Sequence, residues 1–133
     1  MNGAKAIRER PFGFLLDLAS GVPVYRQLID QVQLAIASGV LSGGDQLPTV
    51  RQVAVDLAIN PNTVMRAYRE LEIRGTLTTQ QGSGTFVTPA TVQPDEAQRQ
   101  AQLSRLAAEC AAKAGAAGFS LRDLVERLME MLP

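Results

Sequence analysis

From Pro23 to Gly75 the apolar positions recur at three- and four-residue spacings, the period of helices buried along one side. Pro23 opens the first run, in which Val24, Leu28, Val32, Ala35 and Ile36 form a single stripe, and Gly39 closes it. Residues 39–48 hold three glycines and a proline and read as a sharp turn. Thr49 and Gln52 stand at the spacing of a capping box, which predicts a short helix with Val50, Val53, Ala54 and Leu57 inward. Ala58-Ile59-Asn60 reads as a turn, with Ile59 filling the space between two helices. Asn60 is suited to cap the next helix and Pro61 to occupy its first position, so the pattern predicts a helix over 61–74, stopped by Gly75. The period then changes. Residues 76–81 and 85–88 are β-prone and are joined by Gly82-Ser83-Gly84, which predicts a hairpin fixed to the core by Leu77, Phe86 or Val87. At the N-terminus, residues 1–11 are polar and expected to be loose, and Phe12–Ser20 is expected to pack as an extended segment on the helical domain.

The order helix, short helix, turn, helix, hairpin is that of a winged helix-turn-helix. The whole is expected to be mainly α with this one small hairpin. A domain over 12–88, with its wing at 77–88, is followed by a proline-bearing linker, 89–94, and a two-helix tail, 95–133. In the tail the first helix runs from Asp95 to about Lys113, and Gly115 and Gly118 are expected to break it. Ser120 caps the second, with Asp123 in its first turn. Leu103, Leu106 and Cys110 mark the apolar stripe of the first helix; Leu121, Leu124, Val125, Leu128 and Leu132 mark that of the second. About forty residues are too few to bury both stripes. Pairing of two tails into a four-helix arrangement is the favoured resolution, and folding back onto the winged domain is the alternative.

Stepping about 100° per residue from Asn62 places Val64, Ala67, Tyr68 and Leu71 on one side of the 61–74 helix. Asn62, Arg66 and Arg69 fall on the opposite side, as an amide and two guanidiniums suited to base edges and phosphates. Any amphipathic helix has a solvated face, so this row means more for having a short helix before it and a wing after it. Arg51, in the first turn of the short helix, is disfavoured there by the helix dipole and reads as a phosphate clamp. Gln81 and the Gly82-Ser83-Gly84 tip are placed to follow a minor groove or its phosphates. On this spacing Arg66→Ala is expected to weaken specific binding, and Arg51→Ala to weaken binding more uniformly across sequences.

The 133 residues carry 13 basic and 13 acidic side chains, so affinity for DNA has to come from local placement of arginines and from doubling in a dimer. No histidine is present, and the one cysteine, Cys110, lies in an alanine-rich apolar setting. Catalysis, a metal site and a cofactor are therefore not expected. No long uncharged apolar run and no secretory signal stand in the sequence, so a cytoplasmic protein without a membrane partner is expected. A protein–protein adaptor with a purely structural winged helix remains the competing reading.

The stretches PVYRQLIDQV, GVLSGGDQLPTVRQVA, NPNTVMRAYRELE and GSGTFV, in that order from about Pro23 to Val87, resemble the N-terminal domain of GntR-family bacterial transcription regulators. Asn-Pro-Asn-Thr-Val followed by Arg-Ala-Tyr-Arg-Glu-Leu-Glu resembles the YtrA subfamily. The short tail is similar to that subfamily too, whose members lack a large effector domain, and the chain is too short for the aminotransferase-like domain of another branch. The resemblance implies a dimeric repressor of its own operon that binds an inverted repeat, often beside transporter genes. It implies that Arg51 anchors the second helix, that Asn60, Pro61, Asn62 and Thr63 open the recognition helix, and that Gly82, Ser83 and Gly84 form the wing tip. Many relatives outside the subfamily carry arginine where Pro61 and Met65 stand; here Arg66 follows one place later, so their base contacts do not transfer. A small-molecule effector, seated between tail and winged domain or at a dimer seam, is left open.

Overall fold

The computed structural model describes residues 12–89 and 95–133, so the expectations for residues 1–11 and for most of the 89–94 linker lie outside the described residues. The chain divides after Pro89 into two compact units.

The first unit holds α1 (Val24–Ala37), α2 (Val50–Leu57), α3 (Pro61–Ile73) and an antiparallel pair, β1 (Leu77–Gln80) and β2 (Gly84–Val87). Leu28, Ile29 and Val32 from α1 meet Val64 and Leu71 from α3 with no exposed surface beyond 1%. The expected inward faces of α2 and α3 are found, with Val53, Ala54, Val64, Ala67, Tyr68 and Leu71 buried, and Val50, Leu57 and Ile59 packed against them. Removal of this apolar surface from water is the main force holding the three helices together.

The segment before α1 packs on the domain as expected, with Phe12, Phe14 and Leu16 against the core, but it is not extended to Ser20: residues 18–20 turn, and the Ser20 N–H donates to the Asp17 carbonyl at 3.4 Å. Two glutamines of α1 fasten it in a way that hydrophobic spacing does not reveal. Gln31 accepts from the Leu15 N–H (2.9 Å) and donates to the Leu15 carbonyl (2.6 Å). Gln27, itself buried, makes the equivalent pair with Asp17, at 2.9 and 3.0 Å. Each side-chain amide thus does for one residue of the segment what a neighbouring strand would do.

The wing has a third member. Residues 44–47 run beside β2: the Gly44 N–H donates to Val87, Val87 to Asp45, and Leu47 to Thr85, each at 2.8 Å. Gln46 donates from Nε2 to the Ser83 carbonyl at 3.0 Å and lies under Gly84. A Cβ on Gly84 would stand 2.6 Å from that nitrogen, and the φ of 128° is itself one that side chains rarely adopt. Gly84 is therefore not part of the wing tip, as the spacing suggested, but the first residue of β2, paired with Gln80. The tip is Gln81-Gly82-Ser83.

Each helix end has a local cause. Gln52 donates its N–H to the Thr49 hydroxyl (3.1 Å) and accepts from the Thr49 N–H (3.2 Å), the expected box. Asn60 accepts from the Asn62 N–H at 2.8 Å. The end of α3 falls one residue short of the predicted 74: Arg74 is the cap and Gly75 takes φ 81°, with Thr76 N–H donating to Leu71 and Gly75 N–H to Glu72. This is a Schellman closure. The end of α2 repeats it with the wrong residue, since Ile59 N–H donates to Ala54 (3.0 Å) and Ala58 N–H to Val55 (3.3 Å) while Ala58 holds φ 55°. A left-handed alanine costs roughly 1–2 kcal/mol, against roughly 0.4–1 kcal/mol of extra chain entropy that glycine loses on folding. Ala58→Gly is accordingly expected to stabilise this unit by about 0.5–1 kcal/mol, read as a higher midpoint in thermal denaturation; an unchanged or lower midpoint would contradict the strain.

The second unit is a pair of helices in contact, α4 (Glu96–Ala116) and α5 (Leu121–Glu130). Asp95 caps α4 by accepting from the Ala97 and Gln98 N–H groups. The predicted break at Gly115 does not occur. The helix passes through it at a propensity cost of about 1 kcal/mol and ends at Gly118, φ 89°, where Phe119 N–H donates to Ala114 and Gly118 N–H to Gly115. Ser120 and Asp123 form a reciprocal cap on α5, both bonds 3.0 Å. The Ser120 N–H, and then its hydroxyl, hold the Asp123 carboxyl below its ordinary value. Only Leu124 of the eight predicted tail-stripe residues is partly covered; Leu103, Leu106, Cys110, Leu121, Val125, Leu128 and Leu132 are exposed.

Candidate nucleic-acid interface

Asn60 and Pro61 together fix where α3 begins, and so which side chains stand at its open end. Asn60, Pro61 and Asn62 are exposed and Thr63 is half-buried, its N–H donating to the Asn60 carbonyl at 3.0 Å. One turn further along, Asn62, Arg66 and Arg69 border a single shallow groove of about 310 Å³ with Met65, Glu70 and Ile73. The polar row read from the helical period is therefore one continuous surface. It carries two apolar members that the spacing did not single out, Met65 and Ile73, the latter three-quarters exposed.

The charges on this face are unequal in their freedom. Arg74 is ion-paired with Glu70 at 3.0 Å, a solvent-exposed pair of little energetic weight that nevertheless occupies both groups. Among the described residues Arg51 and Arg69 have no carboxylate partner. Arg66 has a different partner. Its guanidinium lies over the ring of Tyr25 from the first turn of α1, 3.7 Å from the centroid. No pattern within α1 announces this contact, because it joins residues far apart in sequence.

Arg51 is exposed and lies with Pro61 around a second hollow, about 510 Å³, lined otherwise by Val50, Ala54, Val55 and Ile59. The structure thus brings Arg51 to the start of α3 and groups Asn62, Arg66 and Arg69 separately. Tyr68 connects the two helices from within. Its hydroxyl donates to the Pro48 carbonyl at 2.6 Å, immediately before the Thr49 cap. Burial pushes its phenol well above the ordinary tyrosine value, so it stays protonated and donating. In the wing, Gln81, Gly82 and Ser83 are exposed and Gly84 is half-buried. Among the described residues no cluster of side chains is suited to hold a metal ion, and no helix is long and apolar enough to cross a membrane.

The model of the gntR family of bacterial regulatory proteins matches residues 24–87, the span from α1 through β2. A solved structure of YtrA from Sulfolobus acidocaldarius, described as a GntR-family transcription factor, matches with a TM-score of 0.55 and 31% identity, over 88% of this chain and 94% of that one. This chain belongs to the GntR family. Within the family it groups with YtrA-like members. The HTH-type transcriptional repressor YtrA of Bacillus subtilis is 41% identical over 73 residues, 55% of this chain. That match spans 56% of the relative's own length. A Listeria monocytogenes structure described as a transcriptional antiterminator matches with a TM-score of 0.66 at 26% identity, over 90% of this chain and 89% of that one. Both structural matches extend past the residues of the GntR family model. The fold is therefore the winged helix-turn-helix of GntR regulators, mainly helical with a small hairpin.

Proposed function

We propose that this protein is a sequence-specific transcriptional repressor that acts as a homodimer. Two tails pair through the apolar faces of α4 and α5, and two copies of α3 enter successive major grooves of an inverted repeat about one helical turn apart. Asn62 and Arg69 face base edges, Arg51 meets a phosphate beside the start of α3, and Gln81-Gly82-Ser83 follows the adjoining backbone. Membership of the YtrA-like group supports an operator in the protein's own promoter, beside transporter genes, and a cytoplasmic site of action. The observation that carries the reading is the exposed face of α3 on which Asn62, Arg66 and Arg69 border one groove, with Arg69 free of any carboxylate partner among the described residues.

The test is a fluorescence-anisotropy titration of the full chain against its own upstream promoter duplex and a shuffled duplex, at two salt concentrations. Tight binding to the promoter alone, weakening with salt, is the expected result. Arg51→Ala is expected to weaken both duplexes by a similar factor and to lower the salt slope by about one per recognised half-site. A folded dimer that binds neither duplex would instead support an adaptor.

A further inference from the structure

Among the described residues, the contact between Tyr25 and Arg66 joins two elements of the candidate surface through a charged side chain. We propose that Tyr25 is a positioning residue for DNA binding: its ring holds the Arg66 guanidinium off the ridge of α3 and against the flank of α1, where it meets the phosphate backbone bordering the major groove. The inference rests on the DNA-binding reading above and assigns to Arg66 a narrower part within it.

Three features support it. A guanidinium stacked at 3.7 Å uses its flat face on the ring and leaves its in-plane N–H groups pointing outward, which is the set that matches a phosphate or carboxylate with two parallel bonds. The ring stands on a rigid base. Tyr25 is half-buried on the first turn of α1, and Leu28 and Ile29 just beyond it have almost no exposed surface. Finally, an arginine that lies flat over a neighbouring helix does not at the same time extend outward to the groove floor. With α3 lying in the groove, side chains that lean to its flank face the sugar–phosphate wall. Arg66 then supplies affinity common to all sequences, in contrast to the discriminating role that helical spacing alone suggested. Stacking in the free protein also spends in advance part of the rotamer freedom that a loose arginine would lose on binding.

The experiment uses the full chain, the promoter duplex and the shuffled duplex. Tyr25→Leu is expected to lower affinity for both by a similar factor, on the order of tenfold in a dimer carrying two such stacks. Tyr25→Phe, which keeps the ring, is expected to restore most of it. Arg66→Lys keeps the charge at an exposed position, so folding is not at risk, yet loses the planar stack; it is expected to bind as poorly as Tyr25→Leu. In an Arg66→Gln background, Tyr25→Leu is expected to add nothing, because the tyrosine acts through the arginine. Wild-type affinity in both Tyr25→Leu and Arg66→Lys overturns the inference, as does a loss confined to the promoter duplex or an undiminished effect in the Arg66→Gln background. A wild-type protein that binds neither duplex overturns the DNA-binding reading itself, and a wild-type protein that binds while the stack is dispensable overturns this inference alone.

Discussion

Replacing Leu124 and Leu128 together with glutamate is expected to break the proposed dimer into monomers and to lower affinity for the promoter duplex by on the order of 100-fold or more. The cause lies in the exposed apolar surface of the second unit. Leu121, Val125 and Leu128 on α5, Leu132 just beyond the end of α5 and outside the helix its predicted stripe assumed, and Leu103 and Leu106 on α4 are 47–61% exposed, although each is a side chain whose full burial is worth about 1.5–3 kcal/mol. A pair of helices of this size cannot support such a surface in water by itself, and in the proposed dimer isologous pairing through a two-fold axis would cover both stripes at once. Glutamates at two positions per protomer put four charges into the pairing face, where burying each without a partner costs several kcal/mol. The loss of operator affinity follows from geometry, since a monomer has one α3 and forfeits the effective concentration that the first bound half-site gives the second. Sedimentation equilibrium reads the mass and anisotropy reads the binding. A double-glutamate protein that remains a dimer would move the interface elsewhere, and a monomer with undiminished promoter affinity would sever dimerisation from DNA binding.

What could be read in advance was governed by how local each determinant is. The inward set on α3, Val64, Ala67, Tyr68 and Leu71, follows from a period of 3.6 over a single helix and is buried as read. Thr49 with Gln52, Asn60 with the Asn62 N–H just past Pro61, and Ser120 with Asp123 are caps whose donor and acceptor lie within three residues of each other, and all are present. Two glycines three residues apart were a different matter. Spacing alone could not tell Gly115, carried inside α4, from Gly118, whose positive φ closes it. The third member of the wing was hidden for a related reason. Residues 44–47 pair through backbone groups, and the glycine-rich stretch 39–48 in which they lie signals a turn whether or not a strand lies beside it. Gln46 beneath Gly84, Gln27 and Gln31 clamping the N-terminal segment, and Tyr25 beneath Arg66 are likewise contacts between distant residues. The polar row was legible as a face, while the direction of one arginine within it was decided by another helix.

Leu71→Ala is expected to cost the winged unit about 2–5 kcal/mol and to lower its thermal midpoint by roughly 8–40 °C while leaving promoter affinity within about twofold for the protein that remains folded. Leu71 has no exposed surface and belongs, with Leu28, Ile29, Val32 and Val64, to the largest side chains fully enclosed by the fold. Its removal opens a cavity between α1 and α3, and the loss exceeds simple transfer because close-packed neighbours relax only in part. Total stabilities of units this size lie near 4–12 kcal/mol, so the change is a large share of the whole. Binding is spared because Leu71 lies on the side of α3 opposite Asn62, Arg66 and Arg69, and because the Asn60 cap and the Tyr68 bond to Pro48 still set the start of the helix. Differential scanning calorimetry gives the midpoint, and anisotropy well below it gives the affinity. A drop of less than about 1 kcal/mol would mean the core does not depend on this residue. Collapse of promoter binding with native far-UV dichroism retained would mean that the packing of α1 on α3 sets the position of the recognition face, so that the same residues serve stability and readout together.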